Sequence, residues 1–193
     1  MFSDTALRCR PSVPVFGMAW PIYRKMKKTR LSGAQAGERV KIIVDTREQR
    51  PFEFLGQNGD IETERGTLPL GDYSLAGLTD RVAVERKSLA DLVMCLGKER
   101  ERFQREPMRA AALEAFAVVV ESSWQDLAAG RYRSKLSPAS GMASVLAFMA
   151  RHRVPFIFAG NRENAEAVTA GFLRQYLKGK AHEVKAVQEA VNL

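Results

Sequence analysis

The sequence predicts an α/β fold in which a mixed central sheet is flanked by helices, and three observations predict it. Short apolar runs at Val40–Asp45 (VKIIVD), Phe116–Val120 and Pro155–Phe158 read as buried strands. Leu70–Leu75 and Val82–Lys87 read as two paired strands joined by Ala76–Arg81, with Gly77 and Asp80 as turn residues. Between and beyond these, apolar residues recur at helical spacing, so the order strands, helix, strand, helix, strand, helix argues a sheet with helices laid over it.

Residues 1–38 mix Pro, Gly, Ser and Lys/Arg without sustained periodicity and read as a flexible basic arm, with Met18 or Met26 as alternative starts. The domain is expected to span 39–178. Ile61–Arg65 reads as a second strand turning at Gly66, which with the next two strands makes a three-stranded meander. Ser88 is placed to cap a helix whose apolar face is Leu89, Leu92, Val93 and Leu96, ended by Gly97. An arginine-rich helix follows from Lys98. Pro138–Arg151 carries Met142, Val145, Leu146 and Met149 at helical spacing, and Glu163–Lys178 carries Ala167, Val168, Phe172 and Leu173. Both stripes are read as core, and 179–193 as a C-terminal tail.

At 193 residues and 21.5 kDa, with 46% hydrophobic content, one domain plus tails is expected. The net charge is +8 and the pI about 9.8, which ordinarily points to a polyanionic partner. Its distribution weakens that inference, because residues 1–39 contain eight basic side chains against Asp4 and Glu38. Any nucleic-acid contact by the folded part must therefore come from local clusters. Cys9 and Cys95 offer no disulfide framework or zinc pattern, and a reducing cytoplasm, nucleoid-associated if bacterial, fits them. With His152 and His182 the only histidines, both read as surface helix residues, a His-rich metal site is excluded. The apolar stretch Val13–Ile22 is short and broken by Pro14 and Pro21, so a secretory signal is not read there. No run approaches the roughly 20 apolar residues of a spanning helix, and a soluble protein without a membrane partner is expected.

Charged residues stand where strands should be apolar. Asp45 closes VKIIVD, Asp72 lies in GDYSL, and Glu85 and Lys87 alternate along VAVERK. Period-two geometry puts Glu85 and Lys87 on one face and Arg86 on the other. If the strands pair as expected, three acids converge on one sheet edge. Carboxylates brought together repel and raise one another's pKa, a cost that a divalent cation removes. Magnesium suits hard oxygen ligands, with manganese as the alternative ion. One or two such ions held by Asp45, Asp72, Glu85 and a backbone carbonyl would polarise a phosphodiester and lower the pKa of a bound water. Lys87 would orient that water or neutralise developing charge. The competing reading of the acids is a solvated edge strand laced with salt bridges.

The acid, gap, acid-x-Lys layout is that of PD-(D/E)XK nucleases in general form, and the longer match resembles the nuclease domain of the XPF, Mus and archaeal Hef family. The signature GD, spacer, ERK-x-x-x-D stands as Gly71-Asp72, Glu85-Arg86-Lys87 and Asp91. The upstream D-x-R-E element stands as Asp45-Thr46-Arg47-Glu48. The likeness covers about Val40 to Lys178, including VPFIFAG from Val154 to Gly160. It implies a restriction-endonuclease-like fold and a magnesium-dependent DNA endonuclease acting on branched, flap or fork DNA in repair, recombination or mobile-element processing. Asp45, Asp72 and Glu85 are implied metal ligands, with Lys87 catalytic and Glu48, Arg86 and Asp91 beside them. For Asp91 a structural role near a helix start stays open, as does pairing of Arg86 with an acid across the sheet.

DNA phosphates would meet Arg47, the helix residues Arg100, Arg102 and Arg105, and the loop residues Arg131, Arg133 and Lys135, without reading sequence. Glu99, Glu101 and Glu106 offer the alternative that the helix arginines are simply balanced. Tyr132 is a candidate to stack on a base. No small-molecule cofactor is expected. Such enzymes usually carry a tandem helix-hairpin-helix module after the nuclease domain, and only Gly179–Leu193 follow here. Grip on DNA would then come from the basic arm, a homodimer or a heterodimer partner. The family also contains catalytically silent DNA-binding or partner subunits, which is the alternative function.

Overall fold

The apolar runs form strands because β-branched residues pack well on a pleated surface. The computed structural model describes residues 39–55, 59–98, 110 and 112–191. The chain divides into two units, Met1–Glu38 and Arg39–Leu193, and the expected N-terminal arm lies outside the described residues. In the second unit the elements are β1 (Val40–Asp45), β2 (Ile61–Gly66), β3 (Tyr73–Leu75), β4 (Val82–Lys87), α1 (Leu89–Leu96), β5 (Ala115–Val120), α2 (Trp124–Ala128), α3 (Pro138–His152), β6 (Phe156–Phe158) and α4 (Arg162–Val191).

Among the described residues the strands make one six-stranded sheet in the order β2-β1-β3-β4-β5-β6. The pairs β1–β3 and β3–β4 are antiparallel, whereas β1–β2, β4–β5 and β5–β6 are parallel. The expected meander is thereby corrected. The strand β2 lies outside β1 and parallel to it, and β3 takes the interior position. The β2 sequence IETERG has no apolar face to bury, so β2 sits on the edge with most of its residues exposed.

Two apolar layers sandwich the sheet. On one face Ala83, Phe116, Val118 and Val120 pack with Leu92, Val93 and Leu96 of α1 and with Val145 and Phe148 of α3. On the other, Ile42, Val44, Tyr73, Val82, Val84 and Val119 pack with Ala165, Ala170 and Leu173 of α4. Phe52, Phe54 and Tyr73 form an aromatic group at one end of this second layer, where the Phe52 N–H donates to the Tyr73 hydroxyl at 2.9 Å. Among the described residues no helix is long and apolar enough to cross a membrane.

Ser88 caps α1 as expected, its hydroxyl accepting from the Asp91 N–H, and Gly97 ends the helix. In α3 the stripe is rotated from the expected one: Val145 and Phe148 point inward, while Leu146 and Met149 are exposed. Phe148 fills the space next to Phe156 that a methionine one position later would miss. The last helix does not stop at residue 178. It continues to Val191 as one element, and residues 181–191 are exposed. The expected arginine-rich helix falls mostly outside the described residues.

The strand β3 is shorter than expected because Gly71 has φ +77°, a conformation that interrupts the strand one residue before Asp72. A side chain there would bring Cβ within 3.0 Å of the Val84 carbonyl oxygen, which already accepts the Asp72 N–H at 2.8 Å. Gly71→Ala should therefore cost about 1–3 kcal/mol of stability. Urea unfolding checks this, and an unchanged midpoint would contradict it.

Candidate active site

The acids gather because of register. Val44 pairs with Tyr73 and Tyr73 with Val84, so Asp45, Asp72 and Glu85 fall on neighbouring chains at one level of the sheet. Backbone bonds lock that level: the Asp45 N–H donates to the Asp72 carbonyl at 2.9 Å. Glu85 and Lys87 pair with Val118 and Val120 and share their face, the one covered by α1 and α3. Arg86, opposite Val119, points to the other.

Asp45 is 1% exposed and its carboxylate is fully engaged. Oδ1 accepts from the backbone N–H and Nε of Arg47 at 2.8 and 2.7 Å, and Oδ2 accepts from Arg47 Nη2 at 3.0 Å and the Leu68 N–H at 2.7 Å. The Arg47 guanidinium holds the Asp45 carboxyl down to about 2, even though burial pushes the other way. In turn Arg47 is raised above its ordinary value by Asp45 first, with Asp72 and Glu85 adding. Arg47 is itself 69% exposed, an accessible cation beside the acids.

Asp72 Oδ2 accepts the Arg86 backbone N–H at 2.7 Å. Burial, then the charge of Glu85, drives the Asp72 carboxyl well above the usual carboxylate range. Lys87 Nζ donates to Glu85 Oε1 at 2.5 Å. Asp72 and Glu85 thus each keep a second oxygen. Among the described residues no group of three or more His, Cys, Asp or Glu side chains is disposed to hold a metal ion. The expected trio is reduced because Arg47 occupies Asp45. Asp72 and Glu85 still fit a hard divalent cation, being neighbouring carboxylates with hard oxygen donors, and a cation would offset both the burial and the like charge that raise Asp72.

Glu48 and Arg86 do not join this group. They meet on the α4 face, where Arg86 Nε and Nη2 donate to Glu48 Oε2 and Oε1 at 2.8 and 3.1 Å. Glu48 is 5% exposed. Burial pushes its carboxyl up, but Arg86, the Arg50 N–H at 2.6 Å and Arg162 outweigh that and lower it. Asp91 is exposed and bound to its own cap, accepting from the Ser88 hydroxyl at 2.7 Å.

Among the predicted DNA contacts, Arg100, Arg102 and Arg105 lie outside the described residues. Arg133 and Lys135 are exposed, whereas Arg131 donates to Asp126 Oδ1 at 2.8 Å, so the loop is not free of acidic partners. Tyr132 is turned inward against the α3-side core, its hydroxyl donating to the Leu136 carbonyl at 3.1 Å, and is not presented for stacking. Sequence reading missed three residues. Arg65 of β2 donates to the carbonyls of Asp45 and Glu48 and ties down the connecting loop. Glu121 and Arg162 complete the ion pairs around Arg86. Glu121 carried the same signal as Asp45, an acid closing an apolar strand.

Comparison with known proteins now adds to this geometry. The family model described as the ERCC4 domain matches residues 44–172. Among solved structures, XPF from Aeropyrum pernix in complex with DNA is 23% identical with a TM-score of 0.57, covering 73% of this chain and 66% of that one. XPF from the same organism without DNA is 22% identical, again with a TM-score of 0.57, covering 70% of this chain and 61% of that one. At these identities the likeness is one of fold, and the chain spans less than two thirds of those structures' length. No curated protein matches the sequence.

The raised Asp72 carboxyl has a consequence for stability. A carboxyl that holds its proton more tightly when folded favours the folded state below its ordinary value of 3.8, and that contribution is lost as pH rises toward the folded value. Asp72→Asn keeps an acceptor for the Arg86 N–H and removes the charge. In EDTA it should gain about 1–3 kcal/mol over wild type at pH 8, with the difference shrinking toward pH 4. Thermal unfolding across that range checks it, and equal or lower stability at pH 8 would refute it.

Proposed function

The chain belongs to the ERCC4 domain family as an XPF-type nuclease domain, and from that premise we propose that it is a divalent-metal-dependent DNA endonuclease cutting branched, flap or fork DNA. The observation that carries this reading is the alignment of Asp72, Glu85 and Lys87 on one sheet face, with the half-buried Asp72 beside the like charge of Glu85. Asp72 and Glu85 would hold the cation, magnesium or manganese, which supplies Lewis acidity toward the phosphodiester and an acidified water. Lys87, aimed by Glu85, orients the attacking water and offsets charge developing on the phosphate. Asp45 and the Leu68 carbonyl hold Arg47 over the acids by its Nε and Nη2, and Nη1 of the exposed guanidinium is left to meet a phosphate. Arg133 and Lys135 add phosphate contacts that carry no sequence information. The Aeropyrum pernix structure with DNA supports DNA as the partner.

Purified protein incubated with labelled flap, fork and linear duplex DNAs tests this reading. Cleavage should require magnesium or manganese, stop with EDTA, and fall by a factor of about 10²–10³ in folded Asp72→Ala and Lys87→Ala variants. Binding of these DNAs without cleavage in either metal would instead favour a catalytically silent DNA-binding or partner subunit.

A further inference from the structure

A second charge system lies behind the candidate site. Glu48, Arg86, Glu121 and Arg162 alternate in sign along one chain of ion pairs. Arg86 grips Glu48 with two bonds and reaches Glu121 Oε2 with Nη1 at 3.4 Å, and Arg162 Nη1 meets Glu121 Oε1 at 2.5 Å. The Arg86 and Glu121 side chains are only 12% and 10% exposed. Two acids and two guanidiniums cancel, so the chain is neutral as a whole but not with any one member removed. Arg162 Nη2 also donates to the carbonyls of Arg50 and Pro51 at 2.7 and 2.8 Å, and its guanidinium lies 4.8 Å over the Phe52 ring. It thereby holds the segment that follows Glu48.

We propose that Glu121 and Arg162 are positioning residues for the nuclease reaction, acting on Asp72 through Arg86. The proposal rests on the reading above. Arg86 is the physical link: its side chain belongs to the rear ion chain while its backbone N–H fixes Asp72 Oδ2 at 2.7 Å. Without Arg162, Glu121 is left with the long contact to Arg86 alone, and a nearly buried carboxylate draws the guanidinium toward itself. The two-point grip on Glu48 is then lost, and the strand residue between Glu85 and Lys87 shifts. Glu121 is tied to the same strand by its own backbone, its N–H donating to the Lys87 carbonyl at 2.9 Å.

The experiment compares wild type with Arg162→Met, Arg162→Lys, Glu121→Gln and the Glu121→Gln/Arg162→Met double variant. Each is measured for Tm, for Mn²⁺ affinity by calorimetry without DNA, and for kcat and KM on a flap substrate. Arg162→Met should lose about tenfold or more in Mn²⁺ affinity and kcat, as loss of an outer-shell support does, with KM for DNA within about twofold. The double variant removes a neutral pair, leaves Arg86 on Glu48, and should recover to within about threefold of wild type. Arg162→Lys keeps the charge and should resemble the double variant, which preserves the test if Arg162→Met does not fold. The proposal is overturned if Arg162→Met matches wild type in Mn²⁺ affinity, if the double variant is no better than Arg162→Met, or if Arg162→Lys loses as much as Arg162→Met. A wild type that binds Mn²⁺ but cuts no DNA removes the nuclease reading alone, because the Mn²⁺ series still tests positioning.

Discussion

The bond from the Arg86 N–H to Asp72 is the point through which the two sides of the sheet meet. A residue in a β-strand has its side chain on one face, while its amide lies in the sheet plane and can reach toward a neighbouring chain. At Arg86 the amide takes up the carboxylate of Asp72 and the guanidinium takes up Glu48. Since β3 begins at Tyr73, Asp72 stands just where a ladder bond would otherwise form, and the carboxylate replaces the missing partner. A side-chain acceptor in a backbone position is fixed as firmly as the sheet itself.

Two electrostatic demands are thereby kept apart. A cation site needs excess negative charge and access to solvent, whereas a brace inside the fold needs neutrality and closure. Val84 and Val119, both fully buried, lie on the brace side, and Val118 and Val120 line the acid side. Arg65 and Arg162 hold the loop from Asp45 to Pro51 from its two ends, by carbonyl contacts that leave the carboxylates alone. Of the three acids, Asp45 pairs with Arg47 and Glu85 with Lys87, while Asp72 is fixed by the uncharged Arg86 N–H.

Much of this was legible in the sequence. Alternation along VAVERK put Glu85 and Lys87 on one face and Arg86 on the other, because strand periodicity is a local property. Ser88 and Gly97 marked the ends of α1 for the same reason. Pairing order was not legible: the edge position of β2 follows from its lack of an apolar face, but its parallel alignment to β1 depends on a long connection that no short pattern encodes. Nor was the fate of Asp45, since a carboxylate two residues from an arginine can serve either a metal or that arginine. The Glu121–Arg162 pair spans 41 positions and could not be paired from spacing at all. Tyr132 read as a candidate to stack on a base, yet its ring packs against the α3-side core and its hydroxyl donates to the Leu136 carbonyl.

The placement of both charge systems depends on register more than on composition. Moving β4 by one residue against β3 would send Arg86 to the acid face and Glu85 and Lys87 into the layer beneath α4. Hydrophobic patterning opposes that slip, since Val82 and Val84 would leave the α4 layer together with Arg86. Patterning is weak at the far end of β4, however, where three consecutive residues are charged. There the register is held by polar contacts specific to one alignment. The Ser74 hydroxyl donates to the Val82 carbonyl at 2.6 Å within a fully buried site, and the Asp72 N–H meets the Val84 carbonyl. Each would strand a buried polar group if β4 moved by one, at a cost of about 1–3 kcal/mol apiece. The bonds that bring the acids together are thus also the ones that keep the strand from slipping.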